Sequence, residues 1–403
     1  MSENLTPMRP AAAANSVNRT DHLAAIAPAV PALVFALIAV PLHYTADFGL
    51  AYHVGAEAWA RGDPQNVPNS TGTPLLALVM ALVSRAAGEF VASRIFMTLN
   101  LTVWMVLLLM IWPRLRGHVP TGWWWATLVA AGIFAPVIST IFWLQFNLIV
   151  FALALGGFVL IGRHDGWAGA LLGVGLALKP IAILVPLAML LRSRMRPAAA
   201  WAIATTAVLS ELGLVFLAWR AGDPHMLNPF AYLLGFARNS HQWWACTYEN
   251  YSPVATMCRL GLDWSTAATI GIAAVILAAG WLLLVRLADT AQGDWELFAG
   301  ACFFSMMVGP IAWAHYGVLM APLLLLLAYQ FWRYHAPGAL WLGLGLSFAL
   351  AELGWDPLSS LAGMSMTQEV VAYTVGQFSQ YFLLLTWIRW RMVRRQVSSG
   401  ELI

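Results

Sequence analysis

Residues 92–112 read ASRIFMTLNLTVWMVLLLMIW and run straight into Pro113, Arg114, Leu115 and Arg116. As a helix this stretch rises about 31 Å at 1.5 Å per residue, close to the roughly 30 Å thickness of a bilayer's hydrocarbon core. Trp112 marks one end, where an amphipathic ring favours the headgroup layer. The arginines just beyond place that end on the cytoplasmic side, where Lys and Arg collect in short loops. Stretches of the same kind recur from near residue 24 to residue 388 with short polar gaps between them. Of the 403 residues, 61% are hydrophobic and only 10% charged, against roughly 25% charged in an ordinary globular chain. Water is not the main solvent of such a chain, and no room is left for a separate soluble domain. The 21 tryptophans, many at the ends of apolar runs, read as interfacial anchors. The net charge of +3 rests on arginines in loops, which is orientation chemistry and excludes a nucleic-acid footprint.

One orientation keeps Arg114, Arg116, Arg163, Arg192, Arg194, Arg196, Arg286, Arg333 and the tail arginines from Arg389 to Arg395 cytoplasmic, with both termini inside. Spans then fall near 24–43, 92–112, 121–138, 147–162, 166–178, 181–191, 198–219, 265–287, 297–311, 317–332, 337–354 and 371–388, which is twelve crossings. Residues 74–86 become a half-embedded helix on the outer side, because counting them as a span would invert Arg114, Arg116 and Arg163. The expected fold is an all-α membrane protein: a polytopic bundle of about 12 transmembrane helices with outer juxtamembrane helices. Residues 1–22 are expected to be a disordered cytoplasmic tail and not a signal peptide, since no short apolar core with a small-residue cleavage site follows. Residues 23–392 form one transmembrane domain and 393–403 a cytoplasmic tail. Cys246 and Cys258 share a polar loop in which pairing is open, Cys302 lies in an apolar run, and the three make no metal motif.

This orientation gathers the unusual polar residues on the outer face. Asp47 and His53 follow the first span in Tyr44-Thr-Ala-Asp47-Phe-Gly-Leu-Ala-Tyr52-His53; a carboxylate at the membrane boundary suits a general base, and equally an interfacial helix cap. Gln145 and Asn147 end another span. Lys179, between Leu178 and Pro180, sits at an outward apex, either paired with a lipid-linked phosphate or snorkelling. The loop holding Arg238, His241, Asn250 and Ser252 combines amide, hydroxyl and aromatic groups suited to sugars, as a plain interfacial loop also does. Trp313 and His315 lie in Gly309-Pro310-Ile-Ala-Trp313-Ala-His315-Tyr316, where a lone His reads as interface residue or catalyst. Glu211 and Glu352 fall in or near spans and are expected to face the bundle interior.

Taken in order, these motifs resemble glycosyltransferase family 87, membrane enzymes of the GT-C class that use polyprenyl-phosphate sugars and include mannosyl- and arabinofuranosyltransferases. The family's Asp-Phe-x-x-Tyr stands as Asp47-Phe48-Gly-Leu-Ala-Tyr52, with one extra residue, and its Gly-Gln-x-Asn as Leu144-Gln145-Phe146-Asn147, with the Gly lost. Leu178-Lys179-Pro180, Asn250-Tyr251-Ser252 and the run from Pro310 to His315 keep the family pattern, whereas Thr71-Gly72-Thr73-Pro74 departs from it at a place tied to acceptor contacts. The resemblance implies that Asp47 deprotonates an acceptor hydroxyl, that Lys179 with Arg238 binds the donor phosphate, and that His315 either assists that phosphate or holds the acceptor. Tyr52, His53, Gln145, Asn147, His241, Asn250, Ser252 and Trp313 would contact sugar or acceptor. It implies no metal and no cofactor, a polyprenyl-phosphate sugar donor (mannose or another hexose), a lipid or glycan acceptor, inversion, no nucleic acid, and a multi-pass place in the inner (plasma) membrane with the site facing outward. A flippase of lipid-linked sugars, and an arabinofuranosyltransferase, are the alternatives.

Overall fold

The structure is a computed structural model and describes residues 19–39, 46–66, 72–116, 119–232, 250–260, 266–290, 294–308, 314–353 and 356–399. Its first helices are α1 (Arg19–Ile26), α2 (Ala29–Ala39), α3 (Ala46–Arg61), α4 (Pro74–Ala86), α5 (Glu89–Arg116), α6 (Thr121–Gly132), α7 (Ala135–Phe142) and α8 (Asn147–Leu160). There follow α9 (Asp165–Leu178), α10 (Leu184–Met189), α11 (Arg196–Ala221), α12 (Pro253–Arg259), α13 (Thr266–Thr290) and α14 (Asp294–Val308). The chain closes with a 3-10 segment at Ala314–Met320 and with α15 (Ala321–Arg333), α16 (Gly338–Glu352), α17 (Asp356–Leu361) and α18 (Met366–Ser399). The described residues hold no strand. The chain is an all-α membrane protein, as a bilayer demands of backbone that must satisfy its own hydrogen bonds.

Four runs among the described residues are long and apolar enough to cross a membrane: Glu89–Trp112, Thr121–Phe142, Ser193–Ala221 and His315–Arg333. Around Lys179, where two crossings are expected, Asp165–Leu178 and Pro180–Met189 form a helix pair bent through 117°. Fourteen residues rise about 21 Å and six about 9 Å, so neither α9 nor α10 reaches across about 30 Å of hydrocarbon. Lys179 sits at the elbow between them. Helices α2, α4, α8, α13 and α16 include shorter apolar segments. Glu211 is a correction: it is exposed on α11, because α11 buries its opposite face, through Ala198, Ala199, Ala202, Gly213, Leu214 and Leu217. Glu352 is buried as expected, and its Oε2 accepts the Ala135 N–H at 2.7 Å, closing the start of α7.

Helix α4 is wedged between α3 and α11 at two glycines. A Cβ on Gly55 would stand 2.2 Å from the Met80 carbonyl carbon, and one on Gly213 2.4 Å from that of Pro74. Small residues let backbones approach this closely, which is how helices gain van der Waals contact where lipid offers no hydrophobic drive. Thr73 then caps α4, its Oγ1 accepting the Leu76 N–H at 3.1 Å and donating to the Leu178 carbonyl at 3.0 Å. The start of α4 is thereby stapled to the end of α9, one residue before Lys179.

Helix α14 orients the bundle. Its first turn carries Asp294, paired with Arg192 at 2.7 Å and with Arg194, and Glu296, paired with Arg391 at 2.5 Å. Near its other end the Ser305 hydroxyl accepts the Leu184 N–H at 3.0 Å, just past the Lys179 elbow. The segment from Leu184 to Arg192 therefore runs antiparallel to α14. The arginine cluster and Lys179 lie at opposite ends of it, about 20 Å apart.

Candidate active site

At the Lys179 end, three residues distant in sequence meet. Asp47 enters from the first turn of α3, where the exposed N–H groups of a helix favour an anion. Gln145 comes from the corner between α7 and α8, and its backbone N–H closes on the Thr140 carbonyl at 2.9 Å. Lys179 comes from the α9 elbow, its own N–H bonded to the Gly175 carbonyl at 2.9 Å. The Gln145 Nε2 donates to Asp47 Oδ2, and Lys179 Nζ donates to Gln145 Oε1 at 2.7 Å. A single amide thus bridges carboxylate and ammonium. Lys179 Nζ also stands 4.6 Å from the centroid of the Tyr316 ring, a cation–π contact that shields it from lipid.

Burial pushes the Asp47 carboxyl above the ordinary carboxylate range, while the Gln145 hydrogen bond and the Lys179 charge pull it back. That combination suits a carboxylate that must take up a proton near neutral pH. The carboxylate opens onto a small cleft lined by Asp47, Leu50, Ala51, Val54, Gly72, Leu76, Leu144, Gln145, Phe146 and Lys179. Gln145 is aimed there by Leu144, whose φ of 53° is left-handed. Only glycine enters that region freely.

His315 is buried beside this group. Its backbone carbonyl accepts the Thr140 Oγ1 hydroxyl at 3.2 Å and its ring meets Tyr316 edge-on at 5.3 Å. Asn147, in the first turn of α8, is wholly buried, and its amide has no hydrogen-bond partner among the described residues. Other expected sugar contacts stand apart. Asp47, Leu50, Ala51 and Val54 share one face of α3 at helical spacing, which turns Tyr52 and His53 away. The Tyr52 hydroxyl donates to the Ala87 carbonyl at 3.0 Å, and the exposed His53 ring lies 3.6 Å from Glu89. Asn250 Oδ1 accepts the Ser252 N–H and Ser252 Oγ the Ala255 N–H, so the two cap α12 outside the cleft lining. Between them Tyr251 donates to buried Glu369. Arg238, His241, Trp313 and Cys246, and the side chain of Cys258, lie outside the described residues.

Two participants escaped the sequence reading. Tyr316 was visible only as the neighbour of His315. Thr73 carried a signal, a Thr-Pro pair before an apolar run, which marks a helix start.

Residues 71–310, more than half the chain, match glycosyltransferase family 87. The chain belongs to that family. The family 87 match contains Gln145, Asn147, Lys179 and the Asn250–Ser252 turn, with Asp47 and His315 on either side of it. This family 87 glycosyltransferase is 24% identical over 344 residues, 77% of its length and 75% of the relative's, to the polyprenol-phosphate-mannose-dependent alpha-(1-2)-phosphatidylinositol mannoside mannosyltransferase of Mycolicibacterium smegmatis. It is 26% identical over 340 residues, 77% of its length and 76% of the relative's, to the protein of the same description from Mycobacterium tuberculosis. No solved structure gives a significant match.

Proposed function

We propose that the cleft transfers a sugar, mannose or a related hexose, from a polyprenyl-phosphate donor to a hydroxyl of a lipid or glycan acceptor. The observation that carries this reading is the Asp47–Gln145–Lys179 chain, which sets a base and a phosphate-binding cation at one cleft, bridged by one amide. Asp47 takes the acceptor hydroxyl proton as the oxygen forms its bond to the anomeric carbon. The bond from that carbon to the lipid phosphate breaks on the opposite side, so the configuration inverts. Lys179 neutralises the charge that collects on the departing phosphate, where a cation in a dry site is worth far more than in water. Gln145 holds both groups in register, and His315, buried beside them, assists the phosphate or holds the acceptor. The donor description of the two relatives supports this assignment. The arginines at the far end of α14 favour a cytoplasmic place for that end and an extracytoplasmic place for the cleft in a plasma membrane.

The test is transfer from a panel of radiolabelled polyprenyl-phosphate sugars by the purified chain in lipid. Asp47→Asn is expected to lower kcat by about 10²- to 10⁴-fold with the fold intact, the usual contribution of a general base. Near-normal turnover in that variant would sink the assignment.

A further inference from the structure

A second polar cluster lies on the same helix as Asp47. Two guanidinium groups converge on one indole: Arg220 at 5.0 Å and Arg85 at 5.3 Å from the Trp59 ring centroid. Arg220 Nε also donates to the Trp59 carbonyl at 2.5 Å, and its guanidinium lies 5.3 Å from the Trp219 ring. The carboxylates close to these residues in sequence make other contacts. Glu57 pairs with Arg61 at 3.2 Å, Asp63 accepts the Gln65 N–H and Asp223 the His225 N–H. Among the described residues none forms an ion pair with Arg85 or Arg220. Two like charges on one ring repel, and an anion from outside the chain relieves that repulsion.

Depth in the membrane says which anion. Arg220 sits in the last turn of α11, the end of the Ser193–Ala221 run, and Trp219 beside it is 67% exposed. Tryptophan and arginine at a span's end mark the headgroup layer, where lipid phosphates lie, and guanidinium matches a phosphate oxygen pair by geometry as well as charge. Trp59 follows Asp47 by twelve residues on α3, about 18 Å, farther than one sugar ring reaches.

We propose that Arg85 and Arg220, converging on Trp59, hold the phosphodiester of an anionic glycolipid acceptor while its oligosaccharide head extends along α3 to Asp47. The proposal rests on the transferase reading for its catalytic consequence, but lipid binding tests it independently. Native mass spectrometry of the full chain with equimolar phosphatidylinositol and phosphatidylcholine should show wild type keeping phosphatidylinositol. Arg85→Gln with Arg220→Gln should cut that retention at least about tenfold, since each interfacial arginine contributes an appreciable attraction to anionic lipid. Phosphatidylcholine retention should not change. Equal retention of phosphatidylinositol by wild type and variant overturns the proposal, whatever the transfer assay gives. In that assay the variant should raise KM for a phosphatidylinositol oligomannoside and leave turnover of a phosphate-free alkyl oligomannoside at the wild-type level. Loss of both activities in a monodisperse variant would mean the arginines serve only to pack helices, and would also overturn it. Selective lipid binding without any transfer would instead count against the transferase reading.

Discussion

Asp47 is the residue at which burial and charge oppose each other most directly. Its carboxyl is raised by burial and lowered by Gln145 and Lys179, and a general base works only when ionised. The acid limb of the transfer rate is therefore expected above the ordinary aspartate value of about 3.9. Gln145→Leu removes a donor that favours the anion, so the limb should move to higher pH; a kcat/KM profile of the two proteins checks the sign. Leu144 offers a second residue-scale prediction. A leucine at φ 53° carries strain of about 1–2 kcal/mol, and a β-branched residue there fares worse. Leu144→Val should lower both melting temperature and transfer rate, whereas Leu144→Gly, which adopts that φ without strain, should retain transfer. Both outcomes can be read from thermal unfolding in detergent together with the activity assay.

Among elements, α4 is held by close backbone approach on two sides. Its thirteen residues cannot cross a bilayer, yet it is locked on two sides by glycine contacts and stapled through Thr73 to the α9 elbow. Gly55→Ala and Gly213→Ala should each destabilise the protein by about 1–3 kcal/mol, the usual result of overpacking, and should also reduce transfer by shifting the start of α4. Gly88→Ala, where a Cβ meets nothing within 4 Å, is the control and should match wild type in melting temperature. The bent unit at Lys179 belongs to the same scale. The Leu-Lys-Pro motif was legible, but two crossings could not be told from one elbow by counting apolar residues. Hydropathy measures affinity for lipid and carries no record of direction.

At the scale of the molecule the bundle has two unlike ends. One holds Asp47, Gln145, Lys179 and His315; the other holds Arg192 and Arg194 with Asp294 and Arg391 with Glu296. The Arg391 and Glu296 side chains are only 7% and 6% exposed, and breaking a buried pair strands a charge at about 3–5 kcal/mol. Arg391→Met should therefore lower the melting temperature sharply while leaving the acid limb of the pH profile in place, because the pair lies at the opposite end of α14 from the contact with the Lys179 elbow. A shift of that limb would show the two ends to be coupled.

The sequence by itself determined the solvent, the all-helical class and the family, because apolar length, aromatic belts and short motifs are local properties of the chain. It also singled out Asp47, Gln145 and Lys179, though as three separate motifs. Only the tertiary structure decided that they form one hydrogen-bonded chain, that Tyr316 and Thr73 flank Lys179, and that Tyr52, His53, Asn250 and Ser252 lie outside the lining of the cleft beside Asp47. Glu211 on an exposed face and Glu352, buried at the end of α16 against the start of α7, were likewise indistinguishable in sequence. The physical reason is the same throughout: which side of a helix faces a neighbour depends on how close the backbones come, and that is set by pairs such as Gly55 with Met80 and Gly213 with Pro74, far apart along the chain.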